Sequence, residues 1–198
     1  MININVISEY VATEKIVIDL NETAVRLKIS RSYANETINA CRKELEKALR
    51  YKFAFIKVPI TFKSDSVCDL GFGDIESRDL CRALSGCSYA YIIGVTTGIG
   101  VDRLLARLSI TSQAKNFITD GLSSAAIESL CEYVDIYLRG NGKKPMRYSP
   151  GYGDMSLNYQ PKILEALNAK ETLGITINTS LLMTPVKSIT AIMGIYDD

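Results

Sequence analysis

The 198-residue sequence contains no histidine and no tryptophan. Histidine is the commonest general base and the commonest imidazole ligand, so its absence excludes a Ser-His-Asp hydrolase and a histidine-bound metal site. Cysteine is present but unorganised. Cys41, Cys68, Cys81, Cys87 and Cys131 are odd in number, scattered and never spaced as C-x-x-C. Neither a disulfide framework nor a zinc knuckle is indicated, and they read as small buried hydrophobes. Charge of one sign is lacking too: 23 basic residues face 22 acidic ones for a net charge of +1, with no basic block. That argues against nucleic acid or a membrane surface as the main partner. No apolar run approaches the length of a membrane span, and the opening Met1-Ile2-Asn3-Ile4-Asn5 has neither the basic start nor the apolar core of a secretory signal, which implies a cytoplasmic protein.

What is present is the composition of an ordinary globule, 47% hydrophobic and 23% charged. The length suits one substantial core, so the expectation is a single unit over 1–198, with a helical N-terminal part at 1–50 and a core carrying any ligand site at 51–198. Apolar residues alternate at Ile2, Ile4 and Val6, and 15–20 reads as another extended piece. Asn21-Glu22-Thr23 can open a short helix. Ser32 or Asn35 can open a longer one, in which Ile38, Cys41, Leu45, Ala48 and Leu49 recur at helical spacing. The aromatic, β-branched run 53–62 predicts a strand with Pro59 at an edge or bulge. After a shorter extended run ending at Gly71-Phe72-Gly73, Ser77 caps a brief helix through Leu80, Cys81 and Leu84, closed by Gly86.

The strongest strand signal is 88–95, apolar enough to be covered on both faces. It runs through Thr96-Thr97-Gly98-Ile99-Gly100 into a helix containing Val101, Leu104, Leu105 and Leu108. Those glycines match neither the dinucleotide fingerprint nor the P-loop, so tight backbone geometry accounts for them better than a phosphate cradle does. A long helix is predicted over 112–138, with Phe117, Ile118, Leu122, Ala125, Ala126, Leu130, Val134 and Tyr137 inward. Ser123-Ser124-Ala125-Ala126 offers neighbours a close approach, which makes this helix the central one. A short helix over 157–169 with Pro161 in its first turn and two late strands, at 175–177 and 186–195, complete the pattern. Helices and strands mix without βαβ alternation. The predicted class is α+β, a mixed or antiparallel twisted sheet flanked by helices.

One stretch differs from generic core and loop: Lys144-Pro145-Met146-Arg147-Tyr148-Ser149-Pro150-Gly151-Tyr152-Gly153-Asp154. Its prolines push Lys144 and Ser149 out of the helical region, giving a stiff ribbon. Pro150-Gly151 has the order of the central pair of a type II turn, whose second position needs φ above zero. Arg147 offers a planar fork of donors suited to a carboxylate, and Tyr148 and Tyr152 offer aromatic faces with polar tips. The plainer reading of these residues is a rigid loop between helices, its arginine on a nearby aspartate and its tyrosines half-buried.

Arg147-Tyr148-Ser149-Pro150-Gly151-Tyr152 resembles the arginine-x-x-proline-glycine-tyrosine signature of the S-adenosylmethionine-binding activation domain of cobalamin-dependent methionine synthase. Leu173-Gly174-Ile175, followed by the segment from Ser180 through Met183-Thr184-Pro185 to Ile189, is similar to that family's closing segment in spacing and residue type. The resemblance covers roughly 89–195. It implies S-adenosylmethionine as ligand, held by Arg147 at its carboxylate and by main-chain groups around Ser149, Pro150 and Gly151, with Tyr152 lining the cavity. An acidic residue on the long helix is implied as well, at Glu128 or, by another alignment, Ser124; read alone, Glu128 is an exposed helical glutamate.

The function implied is support of reductive methylation, with no side-chain acid or base in a catalytic role. Cobalamin would come from a partner, a methionine synthase lacking its own activation domain or another corrinoid protein, and the electron from a flavodoxin-like or ferredoxin-like donor. Since this chain has no histidine, the cobalt's usual lower histidine ligand would also come from elsewhere. On this reading the chain is a free-standing activation subunit. It departs from the family in lacking a placeable N-terminal acidic residue, in ending before the family's late tyrosine, for which Tyr196 could substitute, and in having Gly153-Asp154-Met155 where a proline and a cysteine-bearing loop are usual. The alternatives are a non-catalytic module that docks on a corrinoid protein without using S-adenosylmethionine, and an unrelated nucleotide-binding protein using the Thr97-Gly98 turn.

Overall fold

The computed structural model describes residues 5–18, 23, 31–139 and 146–196, with the backbone alone at 31–35. The predicted strand at Ile2 and Ile4, the helix opening at Asn21, the end of the 15–20 piece and the Lys144-Pro145 start of the ribbon lie outside these residues.

The fold is α+β. Its centre is a five-stranded sheet in the order β1 (Ile7–Tyr10), β2 (Lys52–Pro59), β6 (Tyr89–Thr96), β10 (Ser188–Ile195), β7 (Arg147–Tyr148). Every neighbouring pair in it is antiparallel. Strands β3 (Thr61–Ser64), β4 (Val67–Asp69) and β5 (Asp74–Glu76) make a second small sheet, and β8 (Thr176–Ile177) with β9 (Met183–Thr184) make a hairpin. The helices are α1 (Arg31–Ala48), α2 (Arg78–Leu84), α3 (Ile99–Thr111), α4 (Gln113–Arg139), α5 (Gln160–Ala166) and α6 (Ala169–Leu173).

Successive residues of a strand face opposite sides of its sheet, and here both sides are buried. On β2 and β6, Phe53, Phe55, Ile93 and Val95 enter one core with Cys41, Leu45 and Leu49 of the α1 region and Leu122, Ala126, Leu130 and Val134 of α4. Ala54, Ile56, Val58, Ala90 and Ile92 enter a second core, with Leu80 and Leu84 of α2 and Ile163 and Leu164 of α5. This two-sided burial is why 88–95 reads as an almost unbroken apolar run.

Several expectations are corrected. The run 53–62 is two strands, because the chain leaves the main sheet at Ile60 and Thr61 begins the small one. Pro59 therefore ends β2, opposite Tyr89, where β1 no longer pairs, and its missing N–H costs no ladder bond on that side. Phe117 and Tyr137 of α4 are exposed, at 56% and 46%, since the buried stripe follows Ile118, Leu122, Ala126 and Leu130 at four-residue steps. Tyr137 packs edge-on to Phe53, ring centres 5.2 Å apart, and donates its hydroxyl to Glu9. Residues 13–15 form a 3-10 turn where an extended piece began. The helix expected over 157–169 divides at Asn168, which takes φ 45° and separates α5 from α6. Ser77 does cap α2, accepting from Leu80 N at 3.0 Å.

The Thr97-Gly98 turn is filled by protein. Gly98 has φ 85°, and a β-carbon at Gly100 would lie 2.4 Å from the carbonyl oxygen of Ala48, the last residue of α1. Gly100 is what lets α3 start against the end of α1. Among the described residues, no helix is long and apolar enough to cross a membrane.

Candidate functional site

Local sequence fixes the ribbon. Arg147 and Tyr148 pair with Met193 and Ile192 at the edge of β10. The chain then turns as the residue order predicts: Tyr152 N donates to Ser149 O at 3.1 Å, and Gly151 has φ 86°. Proline followed by glycine at the two central positions, closed by that bond, is the type II arrangement. Gly151 N donates to Met155 O at 2.9 Å and Tyr148 Oη to Tyr152 O at 3.2 Å, so the loop is braced from within.

Its far end is tied to α2. Asp154 accepts from Arg78 N at 2.8 Å, from Asp79 N at 3.3 Å and from the hydroxyl of Ser77. A carboxylate at the orphan N–H groups of a helix start is favoured in its ionised form. The hydrogen bond from Ser77, then those from the two backbone N–H groups, hold the Asp154 carboxyl below its ordinary range. With its pKa lower folded than unfolded, the stabilisation is present in full above about pH 4 and is lost as the pH falls through the lowered folded value. Asp154→Asn should therefore melt below the wild type at pH 7, and the two should converge in acid; parallel melting curves at every pH would refute this. Circular dichroism melts along a pH series make the test.

Because β7 reaches only Ile192 and Met193, the edge of β10 from Ser188 to Ala191 opens into a cleft of about 690 Å³. Glu128 and Asp135 of α4, Arg147, Ser149, Pro150 and Tyr152 of the ribbon, Leu157 and Gln160 before and in α5, and Leu181 and Met183 of the hairpin line it. The volume is in the range of pockets that enclose a molecule of nucleoside size.

The charged part of the cleft is one cluster. Arg147 Nε lies 3.1 Å from Asp135 Oδ2, and Nη2 lies 3.7 Å from Glu128 Oε2. The Asp135 side chain is 5% exposed, that of Arg147 25% and that of Glu128 53%, so the pair with Asp135 is sheltered and Glu128 sits at the mouth. Beside them the Cys131 thiol is pushed up to about 12 by burial, against the pull of Arg147, and it stays protonated near neutrality. A guanidinium has five donors in a fixed fork, more than these two carboxylates engage. Deeper in, Gln160 Nε2 donates to Thr190 Oγ1 at 2.7 Å and reaches Met183 Sδ at 3.4 Å.

The structure thus gathers Arg147, Ser149, Pro150, Tyr152 and Glu128 around one cleft, while Gly151 shapes the turn without lining it. The plainer reading of the ribbon also has a counterpart, since its arginine does meet an aspartate. That aspartate, Asp135, is the residue sequence reasoning missed. It lies seven residues beyond Glu128, two turns along the same helix, next to buried Val134, and an acid at the border of an apolar stripe was the available signal. Ser124, the alternative to Glu128, instead accepts a hydrogen bond from Lys187 Nζ at 2.9 Å and does not line the cleft. Thr97 and Gly98 do not line it either.

No family model matches the sequence, and no curated protein matches it. Among solved structures, the chain is similar to the crystal structure of the MetH reactivation domain bound to AdoHcy, with a TM-score of 0.76 at 13% sequence identity over 98% of this chain and 79% of that one. At that identity the likeness establishes a shared fold.

Proposed function

We propose that this protein binds S-adenosylmethionine in the cleft beside the ribbon and supports reductive methylation of a cobalamin carried by a partner protein. The observation that carries the reading is the Arg147 cluster, one cation flanked by two carboxylates at a cleft otherwise lined by apolar and neutral groups. S-adenosylmethionine brings a carboxylate for the guanidinium, an ammonium and a sulfonium for the acids, and a purine for the remainder. The fold shared with a domain crystallised with AdoHcy gives independent support.

In this role the protein's contribution is position. Arg147 would take the methionyl carboxylate, main-chain groups at Ser149 and Pro150 the amine or adenosine, and Tyr152, 72% exposed, the outer wall, with Gly151 setting the turn that presents them. The partner's cobalamin, reduced by a flavodoxin-like or ferredoxin-like donor, would supply the chemistry of accepting the methyl group. The partner would be a methionine synthase lacking its own activation module or another corrinoid protein.

One observation favours a second reading. Arg147 is already held between Asp135 and Glu128, so the guanidinium has its counter-charge with no ligand added. That suits a module that docks on a corrinoid protein without S-adenosylmethionine. Thermal melting with S-adenosylmethionine, ATP and NAD separates the two. A ligand that binds only the folded state at a hundred times its Kd adds about 2.7 kcal/mol, so S-adenosylmethionine alone is expected to raise the melting temperature by several degrees. No shift at millimolar S-adenosylmethionine would leave the docking module standing.

A further inference from the structure

The β8–β9 hairpin is closed by a turn that its sequence does not suit. Ile177 pairs with Met183, Asn178 N donates to Leu182 O at 3.1 Å, and Leu181 N donates to Asn178 O at 3.0 Å. Thr179, Ser180 and Leu181 are thus a three-residue loop. In such loops a type I turn is followed by one residue in the left-handed region, where glycine or asparagine is the usual occupant. Here that residue is Leu181, at φ 60°, a conformation that drives a β-carbon toward the next carbonyl oxygen. The loop leaves it no escape. Asn178 Oδ1 accepts from Ser180 N at 2.9 Å and from Leu182 N at 3.0 Å, on either side of it.

Leu181 lines the cleft, whereas its neighbour Leu182 is 65% exposed. A residue that breaks a local rule, held there by surrounding hydrogen bonds and facing a cavity, has the marks of one kept for the cavity and not for the turn. The charged lining comes from α4 and β7, while Leu181 enters from the hairpin together with Met183. We propose that Leu181 is a ligand-contacting residue, the apolar seat for the flat, uncharged ring end of the bound molecule. The inference rests on the S-adenosylmethionine reading, under which that end is the purine.

Leu181→Gly and Leu181→Asn remove the seat and give the turn the residue it prefers, so the usual coupling of lost binding to lost folding is broken. Without ligand, both variants should melt at or above the wild-type temperature. By calorimetry both should bind S-adenosylmethionine about tenfold more weakly, as should 5′-methylthioadenosine, which has the purine but no amino-acid end. Leu181→Met, which keeps an apolar side chain, should stay close to wild type. Arg147→Ala should lose affinity for S-adenosylmethionine only. Wild-type affinity in Leu181→Gly and Leu181→Asn would overturn the assignment, and so would a lowered melting temperature in both, which would make Leu181 a structural prop. Failure of the wild type to bind either compound would bring down the reading of the cleft itself, a result distinct from the others.

Discussion

Arg147→Ala is expected to weaken S-adenosylmethionine binding by about 10- to 100-fold, the loss that follows from deleting a charge-assisted contact of roughly 1.5 to 3 kcal/mol. Isothermal titration is the direct measurement. Arg147→Lys should fall between, since it keeps the charge but not the planar fork that can grip a carboxylate with two parallel bonds. The alanine variant should also melt earlier, because Asp135 lies 3.1 Å from Arg147 Nε with only 5% of its side chain exposed, and a sheltered carboxylate that loses its cation is costly. Reading affinity and stability together separates the two roles. If Arg147→Ala melts early yet binds as tightly as wild type, the guanidinium is a strut for α4 and the ligand's carboxylate lies elsewhere.

Gly100→Ala is expected to give a large loss of stability from a single methyl group. Its β-carbon would lie 2.4 Å from the carbonyl oxygen of Ala48 and 3.3 Å from the carbonyl carbon, and a helix backbone cannot swing aside as a side-chain tip can. Overpacking of this kind costs about 1 to 3 kcal/mol or more, and in a chain of this size each kcal/mol corresponds to roughly 2 to 4 °C in melting temperature. Scanning calorimetry should show a fall of several degrees with an unchanged far-ultraviolet spectrum at 20 °C or so. An unaltered melting temperature would mean that α1 and α3 are not in contact at that turn, and would reopen the case for a ligand beside the glycines.

The parts legible in the sequence were those set by short-range constraint. Proline before glycine allows few turns, and 149–152 makes the expected one. Four-residue spacing fixed the buried stripe of α4, and Ser77 needed only its own hydroxyl to cap α2. What escaped depends on contacts between distant segments. Asp135 matters through Arg147, twelve positions away and on a strand, and its place at the border of the apolar stripe of α4 does not say which cation it meets. The hairpin presenting Leu181 has strands of two residues each, too short to show any alternation. The passage from β2 to β3 was hidden because composition stays aromatic and β-branched while the chain changes sheets, with Pro59 the sole punctuation.

The long helix α4 has a bearing on engineering. Between Gln113 and Arg139 it sends Leu122, Ala126, Leu130 and Val134 into the interior and brings Glu128 and Asp135 to the cleft. A peptide copying the ribbon, or the same hexapeptide spliced into a foreign scaffold, would arrive without its acids, because they are carried by a rod anchored in another layer of the molecule. Transplanting the charged cluster therefore means moving the helix and the strand edge along with the loop.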